Sequence, residues 1–213
     1  MVVRGSVAGM GTAAETLAVV DWRRRVNKLY EEVRAAEEPA TAWKQWREGR
    51  DELLRMHPQS PLPPEARRTF AGIDYYEYDP DCRVVAELAD AEAEPQPIET
   101  SGVQPMLFRR FAHASFELYG ELLQLEIYWL EGYAGGAFLP FRDATSGHET
   151  YGGGRYVLDT VKGADLGTVD GGLVLDFNFA YNPSCSYDPG WVCPLAPPAN
   201  RLAVAVRAGE LYL

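Results

Sequence analysis

Residues 106–130, MLFRRFAHASFELYGELLQLEIYWL, decide the fold. In the second half, Leu123, Leu125, Ile127 and Trp129 alternate with Leu122, Gln124, Glu126 and Tyr128. A period of two places one set on each face of a β-strand. The first half is a second β-like run, and a turn at Gly120–Glu121 folds the two into an antiparallel hairpin. A lone hairpin is barely stable in water, so more strands must flank it. Downstream, 137–141, 155–158, 173–181 and 202–207 read as strands, with a last hairpin turning at 208–210. Upstream, GIDYYEYDP and CRVVAELAD read as a strand pair around an Asp-Pro-Asp turn, with Val84, Ala86 and Leu88 on one face of the returning strand. The acidic, proline-bearing stretch 90–99 reads as a surface loop. The 20 Gly and 15 Pro supply the turns that so many short strands need.

Before residue 60 the period changes. Val19, Trp22, Val26, Leu29, Tyr30 and Val33 recur at steps of three and four, one apolar stripe of a helix over 15–36 that Pro39 stops. A second helix starts at Thr41, capped by its hydroxyl, presents Trp43, Trp46, Leu53 and Leu54, and ends before Pro58. A proline-rich bend and a short helical turn over 65–70 lead into the strands. The chain thus reads as α+β and mainly antiparallel β, a barrel or strongly bent sheet with two N-terminal helices. Residues 1–13 are expected to be a disordered leader, 14–58 a helical arm and 59–213 the β-rich body. The apolar stripe of the arm is a packing surface, either for the open end of the barrel or for a second copy of the chain in a homodimer.

The formal charge of −11 is shared by both halves, and neither has the basic patch that nucleic-acid binding or an anionic membrane surface requires. No run approaches the roughly 20 apolar residues of a membrane-spanning helix. Three cysteines are too few and too odd for a disulfide framework, which points to a reducing, cytoplasmic compartment.

The unusual stretch is 138–200, which contains FLPFRDATSGHETYGGGRYVLD and VLDFNFAYNPSCSYDPGWVCPLAPPAN. Read as a strand, LVLDFNFAY puts Asp176 and Asn178 together on one face, although both are poor strand formers. That face is either simply wet or lines a barrel interior, where the two side chains hydrogen-bond a ligand among Tyr151, Tyr156, Tyr181 and Tyr187. Arg155, near Asp143, Asp159 and Asp176 in the chain, either closes an ion-pair network or clamps a carboxylate or phosphate. In the second case Asp176 or Glu149 is the candidate acid/base, with Tyr151 or Tyr181 as hydrogen-bond donor. Cys185 and Cys193 admit four readings: buried structural thiols, a disulfide, two zinc ligands lacking a second pair, or a nucleophile served by His148 or His113. Ala144–Thr145–Ser146–Gly147–His148 lacks the first glycine of a hydrolase elbow, and the glycine run 152–154 is a tight bend rather than a phosphate loop. The three histidines are too dispersed to form a metal site, and the sequence names no cofactor.

The strings PFRDATSGHETYGGGRY, DFNFAYNPSC, CPLAPPANRL and the late AGE resemble the signature of an uncharacterised bacterial and archaeal family, domain of unknown function 1684. The resemblance runs from about Trp43 to Glu210. It implies that Asp143, Thr145, Ser146, Glu149, Thr150, Tyr151, Arg155, Tyr156, Asp176, Asn178, Tyr181, Asn182, Cys185, Cys193, Pro194, Asn200 and Glu210 belong to the family pattern. It implies no activity. Two readings follow. One is a small-molecule binding or acid/base site in a barrel-like pocket, with Asp176, Glu149, Tyr181 and Cys185 as chemical groups and Arg155, Tyr151, Tyr156, Asp143, Asn178, Asn182 and Asn200 as ligand contacts. The other is a non-enzymatic structural or interaction protein whose motif residues hold an irregular, loop-rich half.

Overall fold

A computed structural model describes residues 3–4, 12–132 and 135–212. Most of the expected leader therefore lies outside the described residues. Within it, β1 (Val3–Arg4) pairs antiparallel with β10 (Trp191–Val192). Helix α1 (Ala13–Ala35) opens on a capping box: Glu15 N–H donates to the Thr12 hydroxyl, and Thr12 N–H donates to the Glu15 carboxylate. Helix α2 (Pro39–Met56) begins two residues before Thr41, with no side-chain cap. Pro39 takes the first helical position, where its missing N–H costs nothing. A short α3 (Pro64–Arg67) follows.

The body is an antiparallel half-barrel. Its strands are β2 (Arg83–Asp90), β3 (Pro95–Ile98), β4 (Met106–Leu118), β5 (Glu121–Leu130), β6 (Gly136–Phe141), β7 (Arg155–Asp159), β8 (Thr168–Val169) and β9 (Gly172–Asp176). They run in the order β7-β6-β5-β4-β2-β9-β8, with β3 also paired to β4. The expected hairpin is β4–β5, but it turns one residue early. Leu118 pairs with Glu121, and Tyr119 and Gly120 both take positive φ (56° and 78°), as a two-residue turn of matching twist requires.

A register shift between Arg110 and Ala112 shapes this sheet. The extra residue reverses the facing of β4 relative to β5. Beyond it, Ala112 and Ala114 lie opposite Ile127 and Leu125 and bury into the half-barrel with Phe116, Phe141, Leu175 and Phe177. Before it, Phe108 joins Tyr128, Phe138 and Tyr156 in a second core, where Tyr30, Trp43 and Trp46 of the helices pack. One hairpin thus serves two cores, and the apolar stripe of the helical arm is buried against its own body.

Three expected strands differ in the structure. Residues 72–79 make only a bridge, Tyr75 to Glu210, because β2 already has β4 and β9 as neighbours. The Asp-Pro-Asp turn is instead a 3-10 turn (Pro80–Cys82) capped by Asp79. On β2, Ala86 is buried but Leu88 is exposed. The expected loop 90–99 contains β3. Its two prolines sit at alternate positions of a strand with a single neighbour, where an N–H is needed only at every second residue. The run after Gly172 leaves the sheet at Asp176 and coils into a 3-10 turn (Phe177–Phe179), so Asp176 and Asn178 do not share a strand face. Residues 202–207 and 208–210 form neither strand nor hairpin.

Candidate functional site

The motif residues separate into several places. Arg155 opens β7 and is 1% exposed. Its guanidinium donates to Asp143 Oδ2 (2.7 Å) and to the carbonyls of Val206 (2.9 Å), Ala208 and Glu210 (3.4 Å). Asp143 Oδ1 in turn accepts from Thr145 N (2.7 Å) and from the Thr145 hydroxyl. The arginine fork therefore ties the chain end to the 143–150 loop, and both charges are occupied inside the protein.

Asn200 replaces a strand residue: its Oδ1 accepts from Glu126 N (2.8 Å) and its Nδ2 donates to the carbonyls of Glu126 (2.9 Å) and Pro140 (2.7 Å). Asn178 does the same for Asp79, donating to its carbonyl (2.7 Å) and accepting from its N–H (2.9 Å). Asn182 donates to the Leu211 carbonyl (2.8 Å), and its own N–H donates to Glu210 Oε2 (2.7 Å). Glu149 is a surface group. It accepts from Arg207 (3.0 and 3.2 Å) and from the Tyr76 hydroxyl (3.0 Å), and the Arg207 hydrogen bonds hold its carboxyl below the ordinary glutamate range.

Asp176 is buried where β9 ends. Its Oδ1 accepts from Asn178 N (3.0 Å) and Nδ2 (2.8 Å), while among the described residues Oδ2 has no hydrogen-bond partner and Arg83 stands 3.8 Å away. Burial raises its pKa to about 6, despite the Asn178 hydrogen bonds and Arg83. A raised carboxyl pKa stabilises the fold below the unfolded-state value near 3.8, and that contribution is lost as pH rises through 6. The loss is about 3 kcal/mol once the group is fully ionised. Asp176→Asn keeps the Oδ1 acceptor and has no proton to lose. Urea unfolding at pH 4.5 and pH 7.5 is expected to show the variant losing less stability than the wild type over that interval; parallel curves would refute the assignment.

Tyr151 and Cys185 meet elsewhere, hydroxyl to Sγ at 3.6 Å, beside Cys193 and Trp191. Tyr156 and Tyr181 meet in the second core, edge to face at 5.6 Å. They border a slot between α1 and the sheet, which sequence reasoning missed. Trp22 of α1 forms one wall, and Met106, Phe108, Leu130 and Phe138 form the other. The slot has a cavity volume of about 90 Å³. A second hollow continues past Trp22, Lys162 and Ser184 toward Arg50, Tyr181 and Asn182. Where the two meet, Lys162 Nζ lies 2.8 Å from Asp159 Oδ2, which also accepts from the Tyr181 hydroxyl (3.2 Å). The ammonium sits over the rings of Tyr156 (5.3 Å) and Tyr181 (5.8 Å). An Asp and a Lys three apart, just after a wholly buried strand, were the available signal. Periodicity does not say which wall faces them.

The family described as "Protein of unknown function (DUF1684)" matches residues 68–211. The chain belongs to this family. The matched part is the half-barrel and its loops; α1 and α2 precede it. A solution structure of an uncharacterised protein from gene locus rrnAC0354 of Haloarcula marismortui is 36% identical, covers 80% of this chain and 92% of its own, and superposes with a TM-score of 0.58. No curated protein matches the chain. Among the described residues, no helix is long and apolar enough to cross a membrane.

Proposed function

We propose that this protein binds a small amphiphilic molecule in the slot between α1 and the sheet, and that most family motif residues hold the walls, with Tyr156 facing the ligand. The observation that carries this reading is a mostly apolar slot whose lining holds two cations, Arg23 and the Asp159-paired Lys162. Its walls are aromatic and aliphatic, and Lys162 stands at the inner end against two tyrosine rings. An ammonium has three donors, and Asp159 occupies one. A ligand with an extended apolar body and a carboxylate head matches that distribution: the body displaces water from the walls and the head accepts from Lys162. The motif side chains support the same division of labour, since Arg155, Asn178, Asn182 and Asn200 all donate to backbone carbonyls inside the protein.

Decanoate is the probe, titrated into the protein and followed by nuclear magnetic resonance. Saturable binding at one site per chain is expected, with shifts at Trp22 and Phe138. Lys162→Met is expected to weaken it about tenfold, the order of one charge-assisted hydrogen bond. Met106→Trp fills the slot and is expected to abolish binding while the fold persists. Non-saturable shifts, or saturable binding indifferent to both substitutions, would place the ligand elsewhere or nowhere.

A further inference from the structure

Cys185 and Cys193 share a small cluster with Trp191, Tyr151 and Leu195. Cys185 lies in a 3-10 turn (Ser184–Ser186), and its N–H donates to Cys193 Sγ at 3.3 Å. Tyr151 OH is 3.6 Å from Cys185 Sγ, and Cys193 N–H donates to Ser101 Oγ (3.0 Å). Both cysteines are free, and among the described residues no third His, Cys, Asp or Glu joins them in a metal-binding group. Their burial differs: Cys185 is 7% exposed and Cys193 0%.

We propose that Cys185 and Cys193 are a peroxide-oxidisable dithiol, in which Cys185 reacts first and Cys193 resolves it to a disulfide. The order follows from that difference in burial, since Cys193 keeps no exposed surface. It also agrees with the direction of the thiol acidities. Hydrogen bonding from Cys193 lowers the Cys185 pKa to about 6, whereas that same bond and burial push Cys193 up. A thiolate is the reacting form.

In the first step Cys185 sulfur attacks one peroxide oxygen and the O–O bond breaks. The hydroxide that leaves combines with the proton given up by Cys185, forming water and a sulfenic acid. In the second, Cys193 gives up its proton, its sulfur bonds to the Cys185 sulfur, the S–O bond breaks, and a second water leaves. Two thiols lose two electrons and one peroxide becomes two waters. Side-chain rotation must bring the two sulfurs to about 2 Å. Cys82 is the internal control: it is buried in the half-barrel core, its Sγ is 2.9 Å from the Tyr119 hydroxyl, and burial pushes its pKa up to about 12.

The test treats the reduced full chain with hydrogen peroxide and reads intact mass and peptide maps. Expected are the loss of two hydrogens, a crosslink between the Cys185 and Cys193 peptides, reversal by a dithiol reductant, and a Cys82 thiol still open to alkylation after denaturation. Cys193→Ser is expected to accumulate a trappable sulfenic acid at Cys185. Cys185→Ser is expected to leave Cys193 reduced at the dose that oxidises the wild type. A wild-type chain that keeps all three thiols, or oxidises Cys82 as fast as Cys185, would overturn the proposal, and neither result depends on a variant folding.

Discussion

Arg155→Met is expected to lower the free energy of unfolding by about 4 kcal/mol, because it breaks a buried ion pair from one side only. The methionine keeps the contact with the Phe141 ring, over which the guanidinium now lies at 5.1 Å. It leaves the Asp143 carboxyl with no cation and strips a donor from the carbonyls of Val206, Ala208 and Glu210. An unpaired buried charge and unsatisfied carbonyls together cost more than the pair itself contributes. Urea unfolding followed by tryptophan fluorescence measures the loss. Asp143→Asn combined with Arg155→Met is expected to recover part of it, since the orphan charge is then gone. A loss below about 1 kcal/mol would mean that the knot is peripheral to stability.

Glu210→Gln is expected to cost about 3 kcal/mol, the lower end for a broken buried pair, although it changes almost no volume. The carboxylate is fully buried and every neighbour it has is a donor. Arg50 of α2 and the Tyr75 hydroxyl (3.3 Å) reach Oε1, while Asn182 N–H and the Tyr187 hydroxyl (both 2.7 Å) reach Oε2. A glutamine amide must point its own N–H groups at one of those pairs, and Arg50 loses its counter-charge. Because Arg50 belongs to the helical arm, the variant should also loosen α2 from the body. Faster amide exchange in α2 than in β4–β5 is the expected signature, and uniform exchange would contradict it.

Both nodes lie in motifs visible in the chain, yet their roles were only partly legible. Arg155 was read as either a network member or a ligand clamp, and nothing in RYVLD distinguishes the two. The answer depends on where residues 206–210 return, some 50 positions later, and on which of their carbonyls face inward. Asp176 shows the same limit from the other side. Its alternation with apolar neighbours suggests a strand face, but its carboxylate also caps a turn, and the local hydrogen bond to Asn178 N–H outweighs the ladder at the sheet's edge. Asn178 reads as a ligand contact from a polar strand face, and Asn182 and Asn200 from the family pattern. Their partners are backbone groups of segments far away in sequence.

What the sequence determined by itself is whatever repeats locally. The period of two in 121–130 and the steps of three and four in 15–36 specify hairpin and helix, because side-chain direction follows directly from backbone geometry. The even negative charge and the family strings are likewise local properties. The tertiary structure alone decided the two cores, the slot and the thiol pair. A single extra residue at 111 turns β4 over, so the same apolar alternation feeds opposite faces of the sheet, and that reversal brings Phe108 to the helices. Sequence spacing carries no record of which face a bulge selects, since the choice is made by what packs there.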